Sequence, residues 1–112
     1  MDALTGHCQV EHPAGLRLRF WAPSEAELLE EAARALIEVM TESAALTADG
    51  EQRVRIDALD DGDRLVRWLN EVLVLATLDG FLLTDAKIRL HALGLTAELR
   101  GQTQATALIR TE

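Results

Sequence analysis

Few residues in this chain have chemistry to offer. His7, His12 and His91 carry imidazoles, which titrate near neutrality and bind transition metals, and Cys8 beside His7 carries the single thiol. Reactivity at Cys8 would need a depressed thiol pKa that nothing in the sequence marks, so Cys8 is assigned no chemistry. His91, closing an alternating segment before a turn, reads as a surface or half-buried side chain. The acids Asp57, Asp60, Asp61 and Asp63 crowd one short stretch, as ligands of a hard cation would. An EF-hand loop, however, spaces its acids alternately ahead of a glycine and ends on a bidentate Glu. Here Asp60 and Asp61 are adjacent, and Trp68 stands where that Glu belongs. Acids at the start of a helix are favoured by its dipole, which explains the cluster without a metal. No glycine-rich phosphate loop is present, and no residue is assigned as catalytic.

Composition narrows the field further. The 112 residues include 19 acidic and 11 basic side chains for a net charge of −8, and 48% are apolar. A single domain spanning residues 1–112 is expected, with no membrane association, because no apolar run approaches the ~20 residues that cross a bilayer. The opening Met1-Asp2-Ala3-Leu4-Thr5 lacks the basic and apolar regions of a secretory signal, so a cytoplasmic location is expected. One cysteine excludes an intrachain disulfide. The acidic balance, with basic residues scattered singly or in alternate pairs, argues against nucleic acid as a direct ligand. The four aromatic residues, none of them Tyr, cannot build a base-stacking platform.

The elements that must position any site follow from periodicity. Leu16-Arg17-Leu18-Arg19-Phe20 alternates as a strand with one wet face, and it reads as the first strand. Ser24 and Glu27 form a Ser-x-x-Glu capping box. Behind it Leu28, Leu29, Ala32, Leu36, Ile37 and Met40 recur at helical spacing, while Glu27, Glu30, Glu31, Arg34 and Glu38 fall mostly on the opposite side. Residues 52–57 alternate as a second strand whose arginines face water. Asp60 to Asp63 then open a second helix with Leu65, Val66, Trp68, Leu69, Val72, Leu73, Leu75 and Ala76 as its apolar stripe, ended by Asp79-Gly80. Trp68 is the expected packing anchor. Residues 87–90 and 95–100 alternate on either side of Gly94 as a hairpin, and 105–109 reads as a last short strand. This order predicts an α+β fold with the helices covering one sheet face.

Together these segments resemble the archease family. The resemblance is carried by Glu11-His12-Pro13-Ala14-Gly15, similar to the family's opening Glu/Asp-His-Thr-Ala-Asp, and by residues 24–42 with Ala32-Ala33 and the closing Val39-Met40-Thr41-Glu42. It continues in Trp68-Leu69-Asn70-Glu71-Val72-Leu73, close to Trp-Leu-Asn-Glu-Leu-Leu, and in residues 95–101, like a family strand ending in Arg-Gly or Lys-Gly. It implies two helices packed on one face of a mixed or antiparallel sheet, an archease-like two-layer fold. It also implies a role in tRNA splicing, promoting guanylylation of an RtcB-type RNA ligase with a divalent cation held by carboxylates.

The chain departs from the family at those carboxylates. Gly15 stands where the opening motif has Asp, Pro13 replaces Thr, and Glu42 takes the place of an Asp after Met-Thr. Residues 104–109 only faintly resemble the family's Lys-Ala-x-Thr-Tyr-His strand, and the final segment with its metal-binding Asp is expected to be missing. A divalent ion needs several oxygens in place of its waters, so the site is expected to be degenerate, with no cofactor required. The resemblance therefore points to an accessory protein that acts by protein–protein contact, with Glu11, His12 and Glu42 as the partner-contact or remnant-site residues. Two other readings stay open. One is a non-catalytic module that self-associates through an exposed sheet edge. The other, the weakest, is a metal-dependent hydrolase built on Glu42 and the aspartates between Asp57 and Asp63.

Overall fold

In a computed structural model, residues 4–12, 15–42, 44–105 and 108–109 are described, those at 10–12 and 15–18 by their backbone alone. Strands β1 (Gly6–His12) and β2 (Gly15–Trp21) precede helix α1 (Glu25–Thr41). Strand β3 (Gly50–Ile56), helix α2 (Asp61–Leu78) and strands β4 (Leu82–Leu90) and β5 (Leu95–Gln102) follow. The α+β class with two helices is as the sequence predicts. The extended backbone, however, divides into two antiparallel sheets: a β1–β2 pair, and a three-stranded sheet in the order β3-β5-β4.

Both helices begin where their caps demand. The Ser24 side chain accepts from the Glu27 N–H at 3.2 Å. At α2 Asp60 accepts from the Asp63 N–H, and Asp63 reaches back past the cap to accept from the Leu59 N–H, both at 2.8 Å. The first bond satisfies one of the helix's orphaned donors, and the second fixes the chain entering it. After α2, Gly80 takes a φ of 68°, and the Phe81 N–H turns back to the Leu75 carbonyl at 2.9 Å. Such a backbone conformation favours glycine, which has no Cβ to clash. Helix α1 ends differently. Its C-cap, Glu42, is left-handed at φ 52°, ψ 44° without being glycine.

The core lies between the helices and the inward face of the three-stranded sheet. Trp68, Val72 and Ala76 from α2 and Leu29, Ala33 and Ile37 from α1 meet Ile56, Ile88, Leu95, Ala97 and Leu99, all buried. Trp68 is fully enclosed, and its indole N–H donates to the Leu29 carbonyl at 2.7 Å, joining the helices. Val66 and Leu73, counted by spacing with the apolar stripe, instead face solvent. Arg64 ties the far end together from a buried position. Its guanidinium donates to the carbonyls of His91 and Gly94, each at 3.1 Å, and to Glu25 at 3.0 Å. Gly94 is obligatory there, because a Cβ would sit 2.3 Å from the Ile56 carbonyl oxygen.

Three expectations are corrected. A strand precedes the one expected first: β1 pairs with β2 from Gly6↔Trp21 to His12↔Gly15. Strand β4 begins at Leu82, well before residue 87, and a bulge between Leu83 and Asp85 shifts its register so that Leu83 joins Ala86 and Ile88 inside. The short strand expected at 105–109 is not formed where it is described. The Ala105 N–H caps the Gly80 carbonyl at 2.8 Å, and the Leu108 N–H turns back to Ala105 at 2.9 Å. Residues 106–107 lie outside the described residues.

On the flank of β4, the Ile88 N–H donates to the Glu30 carboxylate at 2.8 Å. A helix side chain thus occupies a backbone donor of an edge strand.

Candidate functional site

The most developed polar cluster joins β1 to α1. On α1, Glu31, Arg34 and Glu38 share one side of the helix at spacings of three and four, and β1 lays His7 across it. One imidazole nitrogen of His7, Nδ1, meets the Glu31 carboxylate, and the other, Nε2, lies 2.6 Å from Glu38. Arg34 donates to the second oxygen of Glu31 at 3.2 and 3.0 Å, and reaches across to Asp85 on β4 at 3.0 Å. Glu31 is 5% exposed, so its charge depends on these partners.

The electrostatics follow from the contacts. Burial works against a charged ring at His7, but the hydrogen bonds to Glu31 and Glu38 outweigh it and hold the imidazole above its ordinary pKa of 6.5. Burial likewise disfavours the Glu31 carboxylate, yet the hydrogen bonds from His7 and Arg34 prevail and hold it below its ordinary 4.5. When protonated, His7 donates from both ring nitrogens, one to each carboxylate. In that state neither nitrogen has a lone pair to offer a proton or a metal. The role of His7 is to clamp the hairpin to the helix.

The clamp borders a depression of about 310 Å³ lined by His7, Arg34, Glu38, Thr41, Leu46 and Thr84, among others. Thr41 is buried, with its hydroxyl donating to the Ile37 carbonyl at 2.8 Å. Glu42 follows at once, exposed and left-handed. A non-glycine residue in that conformation costs roughly 1–2 kcal/mol. A carboxylate at a helix C-terminus also opposes the dipole, so two unfavourable terms meet in one side chain. Glu11 and His12 are the last residues of β1, paired in register with Leu16 and Gly15. Their side chains are outside the described part of the structure. The clamp at His7 thus fixes the strand that carries Glu11 and His12 on the helix that ends in Glu42.

Sequence reasoning missed His7, Glu31, Arg34 and Glu38 as a unit. Their charges suggested a solvated face, whereas the hairpin covers it and buries Glu31. The signal available was the glutamate pair at a seven-residue spacing with Arg34 between, a pattern that can also receive a cation from another element. Of the clustered acids, Asp60 and Asp63 serve the start of α2 as expected, Asp61 in its first turn pairs with Arg64, and Asp57 lies outside the helix and pairs with Arg55. Cys8 is free and exposed, and His91 is exposed beside Thr96.

Two helices with two antiparallel sheets, joined at a clamped hairpin, define an α+β architecture that comparison with known proteins places in a family. The model of the Archease protein family (MTH1598/TM1083) matches residues 8–111. The archease of Methanopyrus kandleri is 31% identical over 81 residues, which cover 72% of this chain and 58% of that protein. The solution structure of Methanobacterium thermoautotrophicum protein 1598 superposes with a TM-score of 0.61 at 28% identity, covering 88% of this chain and 71% of the other. The chain belongs to the archease family.

A family-type divalent cation is a separate matter. Gly15 brings no side-chain donor where the motif has Asp, and Glu42 contributes a single carboxylate. Among the described residues no group of three or more His, Cys, Asp or Glu side chains is placed to hold a metal ion. Among the described residues, no helix is long and apolar enough to cross a membrane.

Proposed function

We propose that this archease-family chain is an accessory protein that binds an RtcB-type RNA ligase and promotes its guanylylation in tRNA splicing, by contact and not by catalysis of its own. The contact surface takes in Glu42 at the end of α1 and Glu11 and His12 at the end of β1. The observation that carries this reading is the conformation of Glu42. A strained backbone under an exposed carboxylate persists where the surroundings enforce it, and such positions cluster at functional sites. The acids of the α1 layer suit a basic partner surface, which speeds encounter and fixes orientation more than it adds affinity. The test is the guanylylation rate of the ligase from the same organism, with and without stoichiometric protein. Acceleration is expected, reduced by Glu42→Lys; an unchanged rate removes the proposal.

A second reading, self-association, is favoured by the exposed Val66, Leu73, Val74 and Leu78, which share the outer side of α2. Light scattering at high concentration separates the two, since a strict monomer eliminates the second.

A further inference from the structure

The outward face of the three-stranded sheet carries its charges in register. Glu51, Arg100 and Asp85 lie side by side across β3, β5 and β4, and two residues along the strands Arg53, Glu98 and Lys87 do the same. In each row the central charge is opposite to its flanks, with Arg53 and Glu98 in contact at 3.2 Å. Cross-strand neighbours of opposite sign attract, so these rows stabilise the sheet. The next row breaks the pattern. Arg55 and Arg89 flank Thr96, and the centre, where an acid would complete the alternation, carries only a hydroxyl.

That gap is shaped. It adjoins a depression of about 280 Å³ lined by Arg53, Lys87, Arg89, His91, Thr96 and Glu98 together with Ile88. The His91 ring nitrogen Nε2 lies 2.6 Å from the Thr96 hydroxyl, fixing it in place. Among the described residues Arg89 makes no ion pair, and Arg55 reaches only Asp57, at 3.6 Å with both side chains in water, a contact of little strength. A chain with a net charge of −8 thus sets two arginines in register on the strands either side of a neutral residue, Arg89 lining this depression and Arg55 the next one along with Asp57 and Arg67.

We infer that this row is a binding site for a phosphoryl oxyanion, seated over Thr96 between Arg55 and Arg89. Neighbouring strands are ~4.8 Å apart, so the two arginine backbones are ~10 Å apart and both side chains reach an anion above the central strand. Guanidinium groups take oxygens in pairs. A phosphoryl group has oxygens enough for both arginines and the hydroxyl together, whereas a carboxylate has two. This inference is independent of the ligase-binding proposal, which concerns α1 and β1.

The experiment is a titration of the isotopically labelled full chain with inorganic phosphate, followed by amide chemical shifts. Saturable shifts at Thr96, His91 and Arg89 are expected, absent with chloride at equal ionic strength. Arg89→Gln removes an exposed side chain and should weaken binding by about tenfold. Thr96→Glu supplies the missing acid. It should abolish phosphate binding while raising the melting temperature by roughly 2 °C, as a completed cross-strand charge row does. Arg100→Gln, in a completed row, should leave phosphate binding unchanged. Shifts that persist in Thr96→Glu, or that chloride reproduces, overturn the site. A single-stranded RNA oligonucleotide distinguishes the source of the group. Binding through the same residues more tightly than phosphate assigns it to a nucleotide strand, and binding no tighter assigns it to a small molecule.

Discussion

The three-stranded sheet and the β1–β2 hairpin differ in the balance of contacts that attach them to α1. The sheet meets the helix through Leu29, Ala33 and Ile37, apolar side chains removed from water. Among its described side chains, the hairpin adds a charged contact at His7, whose ring is held by Glu31 and Glu38. Apolar contact has no group to titrate, while a clamp of charges is sensitive to pH and screened by salt. The molecule therefore has a firm part and a part whose attachment solution conditions can loosen. The loosened part is the strand that ends in Glu11 and His12.

The comparison can be broken, or sharpened, by perturbing each side in turn. Trp68→Ala empties the centre of the firm part and should cost about 3–5 kcal/mol, lowering the denaturant midpoint for the whole molecule. His7→Ala leaves Glu31 buried with Arg34 as its remaining partner, and should cost about 1–3 kcal/mol. Its effect should be local, with faster amide exchange in β1 and β2 and unchanged exchange in β5. If β5 exchanges as fast as β1 in that variant, the two parts are one cooperative unit and the distinction fails.

A pH series tests the clamp without mutation. The stabilisation from His7, raised in the folded state, is complete below its ordinary 6.5 and drains away as pH climbs through the folded value. That from Glu31, lowered in the folded state, is complete above its ordinary 4.5 and drains away as pH falls through the folded value. Hairpin amides should therefore be best protected between these two values, with α2 amides flat across the same range. The smallest effect belongs to a cap: Asp60→Ala should cost about 1 kcal/mol, read as a shift in the thermal midpoint without change in hairpin exchange.

Legibility in the sequence followed the same division. The firm part was readable because it is built from local signals. Ser24 with Glu27 and Asp60 with Asp63 announced the helix starts, Gly94 marked the hairpin, and the spacing around Trp68 gave the packed face of α2. The hairpin half was not. Strand β1 reads Gly-His-Cys-Gln-Val-Glu-His, with too few large apolar residues to mark a half-buried strand. Glu31 looked solvated since its partner lies 24 residues away on another element, and no local pattern reports that. The early start of β4 was hidden by its bulge, which breaks strict alternation at Thr84. Of the candidate residues, Glu42 was found through the family pattern alone. Its left-handed backbone has no signature in composition, since glycine is the residue that normally announces it.

The contact between Glu30 and the Ile88 amide has a consequence for assembly. Of the two outer strands, β4 has a donor already spoken for by its own helix, whereas β3 is met by β5 on one flank. A strand recruited from another molecule would find its welcome on the β3 side. Two copies meeting there about a twofold axis would present β4 at both ends, so the stack would stop at a pair and not run on into a fibre.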